Sequence, residues 1–148
     1  MSDTPSATPT ADELGEEFAR RDGYMKYLGI KRLKTGVGSC ELRMTVRAEH
    51  LNFNGTIHGG ALFSLADSAF GLASNSHGIL SAGIDTHMTY QAAAFEGDVL
   101  TATAIEVSRS RKIAVYRVEV TGKSGESVGG FTGTVYRTGK PNHSISEA

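Results

Sequence analysis

The chain has 148 residues and 15.7 kDa, with 15 Lys and Arg against 16 Asp and Glu, a net charge of -1. That is one domain, large enough to bury a core and small enough that pairing with copies of itself would cover apolar surface. The charge balance supplies no basic field to hold a phosphate backbone, which argues against nucleic acid as a partner. No apolar run approaches the ~20 residues that cross a bilayer, and the opening MSDTPSATPTADE has neither the basic start nor the apolar stretch of a leader, so a soluble, cytoplasmic protein without membrane contact is expected.

Residues 1–10 are mostly small and polar, with prolines at 5 and 9, and read as a flexible tail; residues 139–148 read the same way, leaving 11–138 as the single domain. Thr10 with Glu13 three positions later matches a capping box, and Leu14, Phe18, Arg21 and Met25 follow at near-helical spacing, predicting an N-terminal helix over 11–27 with a thin apolar face. Next comes strict alternation, with Cys40, Leu42, Met44 and Val46 apolar against Glu41, Arg43, Thr45 and Arg47, the period of a half-buried strand. Cys40 is the one cysteine and cannot form an internal disulfide; on the apolar side of this strand it reads as a buried, inert thiol.

Residues 61–73, ALFSLADSAFGLA, carry an apolar surface too broad for a helix lying on a water-washed flank, so this helix is enclosed. Strands are predicted at 84–92, 97–108, 111–122 and 127–138, with KSGE at 123–126 turning the last hairpin. An antiparallel sheet of five strands needs one face covered, and this helix is the only long apolar element available. The expected architecture is therefore α+β, a curled antiparallel β-sheet wrapped around a central helix, with the N-terminal helix at its edge.

Ser64, Asp67, Ser68, Gly71, Ser74 and Asn75 form a narrow polar stripe along that helix, with Asp67 at its centre. A stripe on a helix usually faces water. Here it is too narrow, and if the sheet wraps the helix the stripe can face only a cleft or a subunit interface, where a carboxylate needs a partner or a chemical task. The helix opens at Gly59-Gly60. Glycine serves any tight turn, but a helix start without side chains also lets a ligand reach unpaired N–H groups at the positive helix end, which suits an oxyanion. Gly60 is the donor expected on this reading.

Asn52, His58 with the glycine pair behind it, and Asp67 lie at intervals of six and nine residues within NFNGTIHGGALFSLADSAFGLASNSHG. This segment resembles the active-site segment of the PaaI-type acyl-CoA thioesterases of the hotdog-fold superfamily. The resemblance extends over most of 20–138 and implies a hotdog fold, hydrolysis of an acyl-CoA such as phenylacetyl-CoA, and homo-oligomers, often dimers of dimers, whose sites lie between subunits. It implies that Asp67 is the general base or nucleophile, that Gly60 supplies the oxyanion-hole amide, and that His58 and Asn52 line the site, polarising the thioester carbonyl or placing the attacking water. The Ser108–Lys112 loop often lies near the nucleotide end of CoA in relatives. Arg109, Arg111 and Lys112 are thus candidate CoA contacts, although a charged hairpin is ordinarily just solvated. Many relatives carry a charged or proline-bearing turn where this chain has QAAAFEGD at 91–98.

His50, His77, His87 and His143 show no ligand spacing with carboxylates or the cysteine, so no metal is expected, nor any cofactor. Ser64 lacks both a G-x-S-x-G elbow and a preceding strand, which excludes a serine hydrolase. Phe53, Phe63, Phe70 and Tyr90 fit equally an acyl pocket and a core. Two alternatives share the fold: a non-catalytic acyl-CoA-binding or sensor protein, which would need no acid at 67, and an enoyl-CoA hydratase, which would leave CoA attached.

Overall fold

In the computed structural model, which describes residues 8–144, the N-terminal capping box forms as expected: Thr10 accepts from Glu13 N–H while the Glu13 carboxylate accepts from Thr10 N–H. The single helix expected over 11–27 is two, α1 (Ala11–Arg21) and α2 (Gly23–Leu28). Asp22 between them has extended backbone, ends α1 and caps α2 by accepting from Met25 N–H at 2.9 Å. Aspartate competes with helix continuation in this way because its side chain mimics a backbone acceptor.

Six strands follow rather than five: β1 (Lys31–Gly36), β2 (Ser39–Thr45), β3 (Ile79–Tyr90), β4 (Val99–Arg109), β5 (Ile113–Thr121) and β6 (Ser127–Pro141), all antiparallel in the order β1-β2-β4-β5-β6-β3. The extra strand, β1, reads KRLKTG and has no alternation to see, since it is a charged edge strand broken by a register shift between Arg32 and Lys34. β6 runs to Pro141, past the expected start of the C-terminal tail, and Asn142 donates to the Asn75 carbonyl at 2.8 Å. Residues 1–7 and 145–148 of the expected tails lie outside the described residues.

The sheet curls around α3 (Gly59–Ser74), the hotdog arrangement. Leu62, Leu65, Ala66, Ala69, Phe70 and Ala73 of α3 are buried against Leu42, Met44, Leu100, Ala102, Ala104, Tyr116, Val118 and Phe131 of the strands. Burying each Leu or Phe contributes about 1.5–3 kcal/mol, so this face dominates the stability. Small strand residues let the bulky helix side chains in: Phe70 packs at 5.3 Å from the Phe131 ring and 5.9 Å from Tyr116, in space that a Cβ on Gly133 would fill. Cys40 is buried in this core, and burial pushes its thiol up to about 11. β3 is paired only with β6, its other edge is open, and Leu80, Ile84 and Tyr90 on it are exposed. None of the described helices is long and apolar enough to cross a membrane.

Candidate active site

The chain enters α3 through a short loop closed by a Leu51–Ile57 bridge. Asn52 builds that loop: its Oδ1 accepts from Asn54 N–H at 2.8 Å and Thr56 N–H at 3.2 Å, and its Nδ2 donates to Thr56 Oγ1 at 3.0 Å. The Asn52 amide is thereby engaged within its own turn. Behind the loop lies His50, buried, accepting from Arg47 N–H through Nδ1 and donating through Nε2 to the Leu28 carbonyl at 2.8 Å. The His50 carbonyl in turn accepts from His58 N–H at 2.7 Å, so a histidine unremarkable in the sequence fixes where α3 begins.

His58 is the N-cap of α3, and its Nδ1 accepts from Gly60 N–H at 2.8 Å. The amide expected from sequence to face a ligand is therefore already bonded. Gly59 N–H, one residue earlier, has no acceptor among the described residues. Capping geometry explains the difference: an N-cap side chain reaches the second or third helical amide and leaves the first open. That rule, applied to His58, would have selected Gly59.

Eight residues along the same helix is Asp67. The residue is exposed, yet protein around the carboxyl strips some of its water and pushes its pKa up, with the Asp22 carboxylate adding to the rise. Asp67, Ser68, Gly71 and Asn75 of the polar stripe line an open cleft of about 970 Å³, closed on the far side by Leu14, Phe18 and Asp22 and at one end by Asn142 and His143. Ser68 Oγ donates to the Ser64 carbonyl and Ser64 Oγ to the Gly60 carbonyl, both at 2.7 Å, so these hydroxyls are tied to the helix backbone.

Gly59 lines a different, smaller cavity of about 390 Å³ with Thr56, Ile57, Leu62, Tyr90 and residues 91–93. The helical rise between Gly59 and Asp67 is about 12 Å. A thioester carbonyl is far smaller than that, so one protomer does not bring the donor and the carboxylate onto the same group. Arg109, Arg111 and Lys112 are exposed on the β4–β5 hairpin, which lies at the C-terminal end of α3: Ile113 pairs with Tyr136, Tyr136 with Ala82, and the neighbouring Ser81 N–H bonds Asn75 at 3.0 Å. Arg109 sits 3.3 Å from Glu106, while Arg111 and Lys112 form no ion pair among the described residues. Also at that end, His77 Nε2 and Tyr116 Oη contact Glu106 Oε1 at 2.7 and 2.9 Å. Burial pushes the Glu106 carboxyl up, and the hydrogen bonds from His77 and Tyr116 more than offset it, leaving its pKa below the ordinary value. Among the described residues no three His, Cys, Asp or Glu side chains converge as a metal site.

Residues 54–128, including the glycine pair and Asp67, match the thioesterase superfamily. A putative esterase of Archaeoglobus fulgidus is 38% identical over 134 residues, 90% of this chain and 87% of that one. The chain belongs to the thioesterase superfamily. This thioesterase is 36% identical to the acyl-coenzyme A thioesterase PaaI of Escherichia coli over 80% of its own length and 84% of the relative's. The solved structure of the E. coli PaaI protein, from the phenylacetic acid degradation operon, superposes with a TM-score of 0.84 at 34% identity, over 86% of this chain and 93% of that one. A thioesterase protein of Streptococcus pneumoniae, solved with coenzyme A, superposes at 0.73 with 30% identity over 76% and 91% of the two chains. The thioesterase is thus a thioester hydrolase of the PaaI type with the hotdog fold.

Proposed function

We propose that the thioesterase hydrolyses an acyl-CoA, with phenylacetyl-CoA and related aryl-acetyl thioesters as its substrate class, to free acid and CoA in the cytoplasm. The observation that carries this is Asp67: a carboxylate on the polar stripe of an otherwise apolar helix, opening into a cleft large enough for an acyl group and held above the usual aspartate range by its surroundings. A carboxylate so disposed is a stronger base than an ordinary aspartate. The E. coli relative's name and its phenylacetic acid degradation operon support the substrate, and the coenzyme A in the S. pneumoniae structure supports the leaving group.

In the reaction, water adds to the thioester carbonyl carbon while Asp67 takes its proton. The oxygen of the tetrahedral adduct accepts from Gly59 N–H at the positive end of α3; the sequence assigns that role to Gly60, whose N–H is bonded to His58. Collapse of the adduct breaks the C–S bond, and the CoA thiolate receives the proton from Asp67. Direct attack by the carboxylate, through an anhydride that water then cleaves, is the alternative route. His58 and Asn52 act by position: His58 fixes the first turn so that Gly59 N–H points outward, and Asn52 holds the loop that delivers His58. Arg109, Arg111 and Lys112 receive the phosphates of CoA.

Because Gly59 and Asp67 line separate cavities of one chain, the working site pairs the Gly59 of one copy with the Asp67 of another, and the open edge of β3 beside both supports a homodimer, itself paired into a tetramer. Thiol release measured over a panel of acyl-CoAs tests the whole reading. CoA binding without thiol release would favour a sensor, and hydration of an enoyl-CoA with CoA retained would favour a hydratase. Light scattering that finds an active monomer would rule out the shared site.

A further inference from the structure

Tyr90 ends β3 opposite Gly129 of β6, and residues directly paired across antiparallel strands share a face of the sheet. That face is the helix side, since a Cβ on Gly129 would meet Leu62 of α3 at 3.3 Å. Other aromatic rings turned to this side are absorbed by the core: Phe131 is fully buried and packs at 5.6 Å from Phe63 and 5.3 Å from Phe70. Tyr90 faces the same way and stays 55% exposed. The cause is the glycine pair. The ring lies over Gly59, its Cε1 and Cζ only 3.3 and 3.5 Å from where a Cβ would be, and no side chain at 59 or 60 rises to cover it.

Within one protomer, an aromatic ring directed inward but left open has no packing role that accounts for its place. It forms one wall of the 390 Å³ cavity that Gly59, whose N–H has no acceptor among the described residues, also lines, and its phenol makes no hydrogen bond among the described residues. We propose that Tyr90 is a substrate-positioning residue: the open face of its ring is the surface on which the planar thioester group lies, so that the carbonyl oxygen meets Gly59 N–H. The inference rests on the hydrolase reading above and names a residue that reading does not use. Glycine at 59 serves twice, leaving the ring its space, since a Cβ there would stand 3.3 Å from it, and leaving no side chain over the amide.

The test compares Tyr90→Phe and Tyr90→Ala with the wild type by steady-state hydrolysis, thermal melting, light scattering and binding of a non-hydrolysable CoA thioether that keeps the carbonyl, with a methylene between it and the sulfur. Tyr90→Phe keeps the ring and should stay within roughly threefold of wild type, because the phenol has no bond to lose. Tyr90→Ala should lower kcat/KM about tenfold or more, since small losses of alignment are costly to rate, and should weaken thioether binding, with melting temperature and assembly unchanged. Wild-type kcat/KM in Tyr90→Ala would overturn the inference, and so would a loss that tracks a lower melting temperature or a dissociated assembly. A wild-type protein that binds the thioether through Tyr90 but releases no thiol would instead overturn the hydrolase reading and leave this one standing.

Discussion

His58 Nδ1 accepts the N–H of Gly60 at 2.8 Å, so the imidazole itself closes the first turn of the central helix. His58→Ala removes that acceptor and should cost about 1 kcal/mol, the usual loss of an N-cap side chain, while also lowering kcat because the Gly59 amide loses its fixed direction. Chemical denaturation beside steady-state kinetics checks both. His58→Asn, which can cap, should recover most of the stability.

Asp67→Asn keeps shape and removes basicity, and should lower kcat by a factor on the order of 10² or more. The same change should not harm the fold. A carboxyl whose folded pKa lies above its ordinary value of 3.8 binds its proton more tightly when folded, so its contribution is favourable at low pH and is lost as pH rises through the folded value. At neutral pH the Asp67 charge thus opposes folding, and the Asn variant should melt at the same temperature as wild type or higher. A variant that loses stability together with activity would show Asp67 to be a structural anchor.

The raised Asp67 pKa has a kinetic counterpart. On the proposed mechanism the ionised carboxylate is the base, so the acid limb of kcat/KM against pH should fall at a pH above 3.8, the ordinary aspartate value. Asp22→Asn removes the neighbouring charge yet can still accept from Met25 N–H, and it should move that limb to lower pH with α2 intact.

Glu106 behaves in the opposite sense. Its folded pKa lies below the ordinary 4.5, so its bonds to His77 and Tyr116 stabilise the fold fully above that value and are lost as pH falls through the lower, folded one. Glu106→Gln should lower stability by about 1 kcal/mol at pH 7, with the gap to wild type closing in acid as the pH falls below 4.5. Urea titrations at both pH values read this directly.

Replacing Arg111 and Lys112 by Ala together should raise KM for acyl-CoA with little change in kcat, because phosphate contacts remote from the carbonyl act alike on ground and transition states. An unchanged KM would assign the hairpin to solvent alone.

Gly133→Ala places a Cβ 2.7 Å from two carbons of the Phe70 ring. Overpacking of this kind costs about 1–3 kcal/mol and should shift the urea midpoint without a large change in slope.

The elements that read clearly from the sequence are those whose periodicity is imposed by burial. β2 alternates because one face meets α3, and α3 is apolar around most of its circumference because the sheet encloses it. β1 left no such trace, since an edge strand with exposed charges needs no pattern, and β3 begins five residues before the expected start at 84 because its exposed outer edge carries none either. Asn52, His58 and Asp67 were legible as a spaced set, but which amide His58 would leave open depended on the cap it forms, and the break at Asp22 depended on a side chain choosing a backbone partner. Those are choices between equally polar groups one residue apart, where composition and period carry no information.

The lone thiol of Cys40, on the buried face of β2 and hard to ionise, leaves the described surface without reactive sulfur. A single cysteine introduced at an exposed position beside the hairpin cations, such as Ser108, would therefore be the one place a maleimide dye attaches, with no background mutation needed. Fluorescence from that dye would report the arrival of a nucleotide at the hairpin separately from any bond broken at the carbonyl, turning a buried, silent residue into the reason the protein can be watched.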